Sequence, residues 1–367
     1  MSVSVAESDV LRAPFPWFGG KRRVADIVWD RFGDVSSFNE PFAGSLAVLL
    51  ARPTPARVET INDLDAYVAN FWRALSRDPD AVAYWADSPV NETDLHARHR
   101  WLVQSVKARS IMARVKADPD FFSAKIAGWW VWGQCLWIGS GWCDKPEWSG
   151  RDFAGRRSRG LTTKRFAGTG NGQGCGVHRR WQGGGKGGGS GVHAPKLSQQ
   201  LPALNGDAGA TGHGILASAF DARTGGLYAY MQRLAERLRR VRVCCGDWKR
   251  VLTPSVTSYI GVTGVFLDPP YDHDLRERCY AQDHNVSVEV REWALEHGDD
   301  EDLRIALCGY EDEHGAHMPS SWECVKWKAH GGYSRSERGV ENRAQERIWF
   351  SPHCLQPEGR LPFEVIQ

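Results

Sequence analysis

The chain has 367 residues and a formal net charge of +2, so it can hold one large domain or a catalytic domain with a substantial insertion. This near-neutral charge gives no sign of a polyanionic partner. No uninterrupted apolar stretch reaches membrane-spanning length, and residues 1–12 lack the apolar run of a secretory signal. Nine cysteines without a Cys-x-x-Cys spacing favour reduced thiols. We therefore expect a cytoplasmic protein that does not enter a membrane.

The first predicted element is a short helix over residues 22–32, which follows an aromatic and glycine-rich stretch. The prolines of Pro14 to Trp17 bring the chain in extended, and Gly19 and Gly20 permit close approach of the backbone to a ligand. Lys21 opens the helix. A surface turn with a packed aromatic ring is the alternative interpretation.

A strand, a glycine turn and a helix are predicted next, within residues 37–52. This order is the nucleotide-binding layout, and it places Phe42 and Gly44 in the ligand-binding turn. A brief strand then ends in Asn62-Asp63-Leu64-Asp65, where a ribose-binding acid belongs. Asp63 is our candidate and Asp65 the second choice, while a plain helix N-cap would explain either acid.

Residues 78–142 are predicted to be mainly helical and carry seven tryptophans, most of which we assign to the core. His96 and His99 have metal-ligand spacing, but no cysteine or acid completes the set, so no metal site is predicted. Residues 151–214 are glycine-rich and basic. We interpret them as a flexible insertion that either orders against DNA phosphates or serves as a linker.

Order returns with an amphipathic helix to about residue 240 and a strand that ends in Gly246-Asp247-Trp248. A buried strand over residues 264–267 then stops at Asp268-Pro269-Pro270-Tyr271. Proline fixes φ and lacks a backbone donor, so the motif places a carboxylate and an aromatic ring at a strand's carboxyl end. A bland turn is the alternative.

Three further strands are predicted, over residues 303–308, 324–328 and 345–350. The connection at residues 330–338 is basic, and its Arg335 and Arg338 are candidates for contact with a nucleic-acid backbone. An ordinary hairpin connection is the other interpretation.

Four motifs occur in one order: aromatic-x-Gly-Gly-Lys, Glu-Pro-Phe-x-Gly, a ribose acid and Asp-Pro-Pro-Tyr. Together they resemble the Dam-type DNA adenine-N6 methyltransferases, which use S-adenosylmethionine. The resemblance implies an α/β, Rossmann-like seven-stranded sheet with an inserted target-recognition region, partly helical and partly of low complexity. Residues 1–83 and 226–367 would form the catalytic domain, and residues 84–225 the insertion.

The resemblance also implies roles for individual residues. Lys21 would neutralise the cofactor's carboxylate, Trp17 would pack against the cofactor, and Asp247 would contact its adenine. Asp268 and the carbonyl of Pro269 would accept the hydrogens of the adenine amine, and Tyr271 would stack on the flipped base. One position departs from the family, because Leu46 stands where many members carry a second glycine.

The expected reaction is methylation of the N6 amine of adenine in double-stranded DNA, with base flipping and without a metal. Cytosine-N4 methylation and a non-catalytic DNA-binding protein on the same fold are the alternatives. We expect a monomer or weak dimer in a bacterial cytoplasm, as part of a restriction-modification system or as an orphan or viral enzyme.

Overall fold

The computed structural model describes residues 11–17, 20–52, 54–137, 142–143, 226–270, 286–327 and 346–356. The predicted flexible segment 151–214 lies outside these residues. The chain divides into two compact units. The first comprises Met1–Ala13, Trp17–Ala69 and Glu236–Gln367, and the second comprises Pro14–Pro16 and Asn70–Ala235.

A seven-stranded sheet forms the centre of the first unit. Its strands are β1 (Ser37–Glu40), β2 (Val58–Asp63), β3 (Val241–Cys245), β4 (Thr263–Leu267), β5 (Leu303–Tyr310), β6 (Glu323–Lys326) and β7 (Glu346–Phe350). Their order is β3-β2-β1-β4-β5-β7-β6, with β1 to β5 parallel and β7 antiparallel to both β5 and β6. The predicted α/β, Rossmann-like seven-stranded sheet is therefore confirmed.

The sheet reverses its direction of growth between β1 and β4, which pair in parallel with Asn39 opposite Val265. From β1 the chain order runs outward to β2 and β3, whereas from β4 it runs outward to β5. Open α/β sheets bind their ligands outside the carboxyl ends of the strands at such a switch point. The strand ends that carry Glu40 and Asp268 lie at this position.

Ten helices are described along the chain. They are α1 (Arg22–Phe32), α2 (Ala47–Leu50), α3 (Ala66–Arg77), α4 (Pro79–Ala86), α5 (Glu92–Gln104), α6 (Val106–Ala117), α7 (Ala124–Leu136), α8 (Gly226–Leu238), α9 (Val286–His297) and α10 (Glu311–His314). Short 3-10 turns occur at Trp248–Val251, Ser258–Ile260 and Gly315–His317. Within the described part of the chain, no helix has the length and apolar character needed to cross a membrane.

The core of the first unit explains the uninterrupted apolar strands. Every residue of β4 and of β7 is buried, as expected for strands covered on both faces. Val265 and Leu267 of β4 pack in one cluster with Ile305 of β5 and Val290 of α9. This packing fixes β4, and with it the position at which Asp268 leaves the sheet.

The second unit is helical over its described residues. Four of its helices begin at a side-chain cap, from Asp78, Asn91, Ser105 and Ser123. Helices α4 and α7 approach so closely that a Cβ on Gly128 would lie 2.4 Å from the Cβ of Trp85. The seven tryptophans of this region fall into two groups by burial. Three are buried, namely Trp130, Trp132 and Trp142. Four are half-buried, namely Trp85, Trp101, Trp129 and Trp137.

Candidate active site

Lys21 and Asp268 meet at the switch point of the sheet. Lys21 immediately precedes α1, and Asp268 immediately follows β4. The Nζ atom of Lys21 lies 2.9 Å from Oδ1 of Asp268, and the lysine side chain is only 4% exposed. Pro269 is buried directly after the carboxylate, where the missing N–H ends the strand. The structure thus joins the first and the last of the four sequence motifs.

The charge of Lys21 is maintained in spite of its burial. Burial by itself would lower the pKa of this ammonium group. Attraction to the carboxylates of Asp268 and Glu346 outweighs that penalty, and the pKa of Lys21 is raised above its ordinary value. The indole of Trp327 lies beside the cation, with 5.6 Å from Nζ to the ring centroid. A permanent positive charge therefore lies at the carboxyl end of β4.

A second cluster joins the glycine turn after β1 to the end of β2. The Gly44 N–H donates to Oδ2 of Asp63 at 3.0 Å, and the Asp65 N–H donates to Oδ1 at 2.8 Å. Gly44 has φ +44°, and a Cβ there would lie 2.4 Å from Nε1 of Trp17. Glycine is thus required at position 44 by both its conformation and the indole.

Asp63 holds its proton more strongly than an ordinary carboxyl group. Burial raises the pKa of Asp63 to about 7, and the neighbouring charge of Asp65 acts in the same direction. The backbone N–H donors, including that of Gly44, oppose this shift because they favour the ionised form. Asp63 is therefore divided between its two charge states near neutral pH.

Leu46 explains why the family carries a second glycine. Its φ is +54° and its ψ is 32°, which is the left-handed conformation that glycine adopts without strain. The Leu46 side chain is fully buried, so packing offsets the strain here. Next to it, Oε2 of Glu40 accepts the Leu49 N–H at 3.3 Å, and burial raises the pKa of Glu40 well above its ordinary value.

Asn62 ties three loops together at the ends of β1, β2 and β3. Its Nδ2 atom donates to the carbonyls of Pro41 at 3.1 Å and of Gly246 at 3.0 Å. The neighbouring Asp247 is exposed, and its carboxylate accepts the Lys249 N–H at 2.9 Å as the cap of a 3-10 turn. Asp247 therefore lies at the predicted strand end with a structural role of its own.

The remaining candidates differ in how far the structure describes them. Phe42 is half-buried, with its ring centroid 6.2 Å from that of Trp248, and Gly20 is exposed. Pro270 is half-buried after Pro269. The predicted site residues Gly19, Tyr271, Arg335 and Arg338 lie outside the described residues. The described part of the chain contains no group of three or more histidine, cysteine, aspartate or glutamate residues that could hold a metal ion.

Three buried polar residues of this region were missed as candidates from the sequence. Asn62 and Glu40 lie inside the predicted motifs, and Glu346 begins β7. An acid shortly before the apolar run that ends β7 is a signal for Glu346, because a buried charge needs a partner. The identity of that partner is a property of the fold.

Residues 17–104 match the family model of the D12 class N6 adenine-specific DNA methyltransferases. Over these residues the chain is similar to the adenine-specific DNA methyltransferases of that class. The match covers about a quarter of the sequence and includes Trp17, Lys21, Gly44 and Asp63, whereas Asp268 lies beyond it. A search of curated proteins gave no match to the chain. The resemblance to Dam-type enzymes and the assignment as an enzyme are confirmed by the family match.

This family implies S-adenosylmethionine as the methyl donor and DNA as the substrate, and the described residues of the chain fit the donor. An ionised carboxylate offers about four acceptor sites. Backbone N–H groups use only some of those of Asp63, which leaves capacity for ribose hydroxyls. Lys21 supplies a cation for a carboxylate, and Trp17 supplies an apolar ring surface beside Gly44.

Proposed function

We propose that this methyltransferase transfers a methyl group to the N6 amine of adenine in double-stranded DNA, after that base has left the duplex. The observation that carries the proposal is the 2.9 Å contact between Lys21 and Asp268. It brings the residue assigned to the donor's carboxylate against the residue assigned to the amine. We also propose that residues 84–225 form the target-recognition region.

Asp268 is the group that activates the amine. The lone pair of the adenine amine is conjugated into the ring, which makes the amine a poor nucleophile. Hydrogen bonds from its two hydrogens to the Asp268 carboxylate and the Pro269 carbonyl localise the lone pair on nitrogen. Bound S-adenosylmethionine supplies an electrophilic methyl group. The buried proline after Asp268 keeps both acceptors in a fixed relative position.

The reaction forms one N–C bond and leaves one proton to be removed. The donor's C–S bond breaks and its electron pair stays on sulfur, so the positive charge moves to the methylated amine. The amine then releases a proton to Asp268 and from there to solvent. Lys21, positively charged beside Asp268, favours the ionised carboxylate that this step requires.

Product analysis tests the reaction and its base. Purified protein is incubated with labelled S-adenosylmethionine and duplex DNA, the DNA is digested, and the methylated nucleoside is identified by mass. We expect the methylated nucleoside to be N6-methyl-2′-deoxyadenosine. N4-methylcytosine would establish the alternative substrate. Donor binding without transfer to any DNA would favour the non-catalytic alternative.

Base flipping is tested with 2-aminopurine in place of the target adenine, after the recognition sequence has been found by sequencing methylated DNA. Unstacking increases the fluorescence of this analogue. We expect the increase on addition of protein with S-adenosylhomocysteine, and only at the target position. The same signal from a 2-aminopurine elsewhere in the site would contradict the proposal.

Helix α6 supports a DNA partner for the second unit. Its Lys107, Arg109, Arg114 and Lys116 are exposed, and the helix contains no acid. The charge of Arg114 is partly neutralised, because its guanidinium group lies 3.4 Å from the carboxylate of Asp118. Lys107 and Arg114 lie on one edge of the exposed face, and Arg109 and Lys116 lie on the other. Exposed cations attract DNA phosphates independently of sequence.

The salt dependence of DNA binding tests this surface. Alanine at Lys107, Arg109 and Lys116 together should weaken binding and reduce the slope of log affinity against log salt by about two to three. Alanine at Arg239 and Arg240, also exposed, is the control. An unchanged slope in the α6 variant would remove this helix from the interface.

We further propose a bacterial cytoplasmic enzyme that acts as a monomer or weak dimer. Light scattering tests the oligomeric state.

A further inference from the structure

Glu346 is a buried acid at the edge of the active site with a fixed backbone. It is the first residue of β7, opposite Tyr310 of β5, and its carbonyl accepts the Trp327 N–H at 3.3 Å. Only 6% of the residue is exposed. The sheet therefore determines where this carboxyl group lies, independently of any ligand.

The Glu346 carboxyl group is incompletely satisfied. Its Oε2 atom is buried and has no hydrogen-bond partner among the described residues. Such an atom is costly to bury unless a partner arrives in a functional state. The ionisable groups that face it are Lys21, Asp268 and Cys308. Lys21 is the cation of this group, since burial raises the pKa of the Cys308 thiol and keeps it neutral.

Trp327 connects the two residues, because its ring lies beside the Lys21 cation and its N–H donates to the Glu346 carbonyl. Lys21 therefore has a second acid in its surroundings besides Asp268, and the proposed reaction needs Asp268 for another purpose. In the structure the ammonium group is paired with Asp268. During methyl transfer, Asp268 must accept a hydrogen from the substrate amine. A buried lysine that loses one of its carboxylate partners is destabilised, because its desolvation is less fully offset.

We propose that Glu346 is a positioning residue that holds the ammonium group of Lys21 when Asp268 turns to the substrate amine. This inference rests on the proposed function. Glu346 acts only through Lys21 and touches neither substrate, which separates its role from that of Asp268. An ionised Glu346 is the form that can do this.

The pH dependence of kcat follows from that requirement. Burial raises the pKa of Glu346 to about 7, with Asp268 acting in the same direction and Lys21 against it. At saturating donor, kcat of the wild-type protein should rise as pH increases through about 7. Asp63 titrates in the same range, but it affects the KM for the donor, so the two groups are separated by measuring both constants.

The decisive variant is Glu346→Gln, which removes the charge and keeps the shape. We expect kcat at pH 7.5 to fall about tenfold or more, with the rise near pH 7 abolished. Glu346→Asp should recover part of the rate. Glu311→Gln is the matched control, because Glu311 pairs with Arg347, the next residue of β7, at 2.6 Å and is itself partly exposed to solvent.

Two measurements exclude a merely structural role. The melting temperature of Glu346→Gln should equal or exceed that of the wild-type protein at pH 8, because an amide replaces a buried charge. The affinity for S-adenosylhomocysteine, measured by calorimetry, should change less than about threefold.

A double-mutant cycle tests whether Glu346 acts through Lys21. In a Lys21→Met background, Glu346→Gln should cause no further loss of kcat.

The outcomes separate this inference from the proposed function. A wild-type protein that methylates no DNA refutes the function itself. An active wild-type protein with an equally active Glu346→Gln variant refutes only the role of Glu346. Additive losses in the Lys21→Met background would show that Glu346 acts independently of the lysine and would also overturn the inference.

Discussion

The proposed active site has two halves that are held together in different ways. The cofactor half, around Gly44 and Asp63, is fixed by backbone N–H groups that donate to side-chain oxygens. The catalytic half, around Lys21, Asp268 and Glu346, is held by buried charges from separate elements. The first arrangement depends on chain geometry, and the second depends on which acid is ionised.

This difference predicts which property of the protein a substitution in each half should change. In the catalytic half, a change of charge should alter turnover while the fold persists, because the strands are fixed by apolar packing. In the cofactor half, a single added methyl group should disturb the loop itself. Substitutions in the catalytic half are therefore tested by turnover, and substitutions in the cofactor half by donor binding and stability.

Asp268→Ala should have the largest effect. It removes the acceptor for the amine hydrogens, and we expect kcat to fall about 1,000-fold or more while donor binding persists in part. Transfer of labelled methyl groups and calorimetry with the donor measure the two quantities. Asp26→Ala, an exposed acid on α1, should behave like the wild-type protein. Near-normal turnover in Asp268→Ala would contradict the assignment.

Gly44→Ala should have the next largest effect. The new Cβ would overlap Trp17 at 2.4 Å on a residue with φ +44°. The left-handed conformation alone costs about 1–2 kcal/mol, and moving the indole should weaken donor binding about tenfold. Gly20→Ala is the comparison for folding, because among the described residues its Cβ would meet only the Trp17 carbonyl, at 3.5 Å, and should leave the melting temperature unchanged. Unaltered donor affinity in Gly44→Ala would show that the loop adapts.

The Asp63 carboxyl group should give both stability and donor binding a pH dependence. Its pKa is raised from 3.8 in the reference state to about 7 in the folded protein. Between these values the folded protein retains a proton that the unfolded chain has released, so stability falls as pH rises from about 4 to about 7. Donor affinity should rise over the same range, because the ionised carboxylate is the better acceptor for ribose hydroxyls.

Asp63→Asn tests both parts of that prediction. It should abolish the pH dependence of donor affinity and flatten that of stability, while the melting temperature below pH 7 falls by about 2–4 °C, because the amide nitrogen cannot accept the backbone N–H that one Asp63 oxygen now accepts. Part of the stability slope should remain, because Glu346 has a raised pKa of the same sign. A donor affinity that still rises toward pH 7 in Asp63→Asn would assign the titration to another group.

The arrangement around Gly44 and Asp63 is easier to read from the sequence than the arrangement around Lys21 and Glu346. Gly44 and Asp63 belong to short contiguous motifs, so their contact follows once two parallel strands are placed side by side. The departure at Leu46 was visible, but its left-handed φ of +54° depends on burial of the side chain. Glu346 had no readable role, because Lys21, on which its proposed role depends, comes from the other end of the chain.

The smallest effect is expected at Asp247, which the sequence assigned to the donor's adenine and which caps a 3-10 turn through the Lys249 N–H. Asp247→Ala removes that acceptor and should cost about 1 kcal/mol of stability, whereas Asp247→Asn keeps an oxygen and should cost only a few tenths. Donor affinity separates the two roles. If Asp247 also contacts the adenine, Ala should weaken binding about two- to tenfold, the range of one hydrogen bond. If the cap is its whole role, calorimetry will find wild-type affinity in both variants, and the cofactor half ends at Asn62 and Asp63.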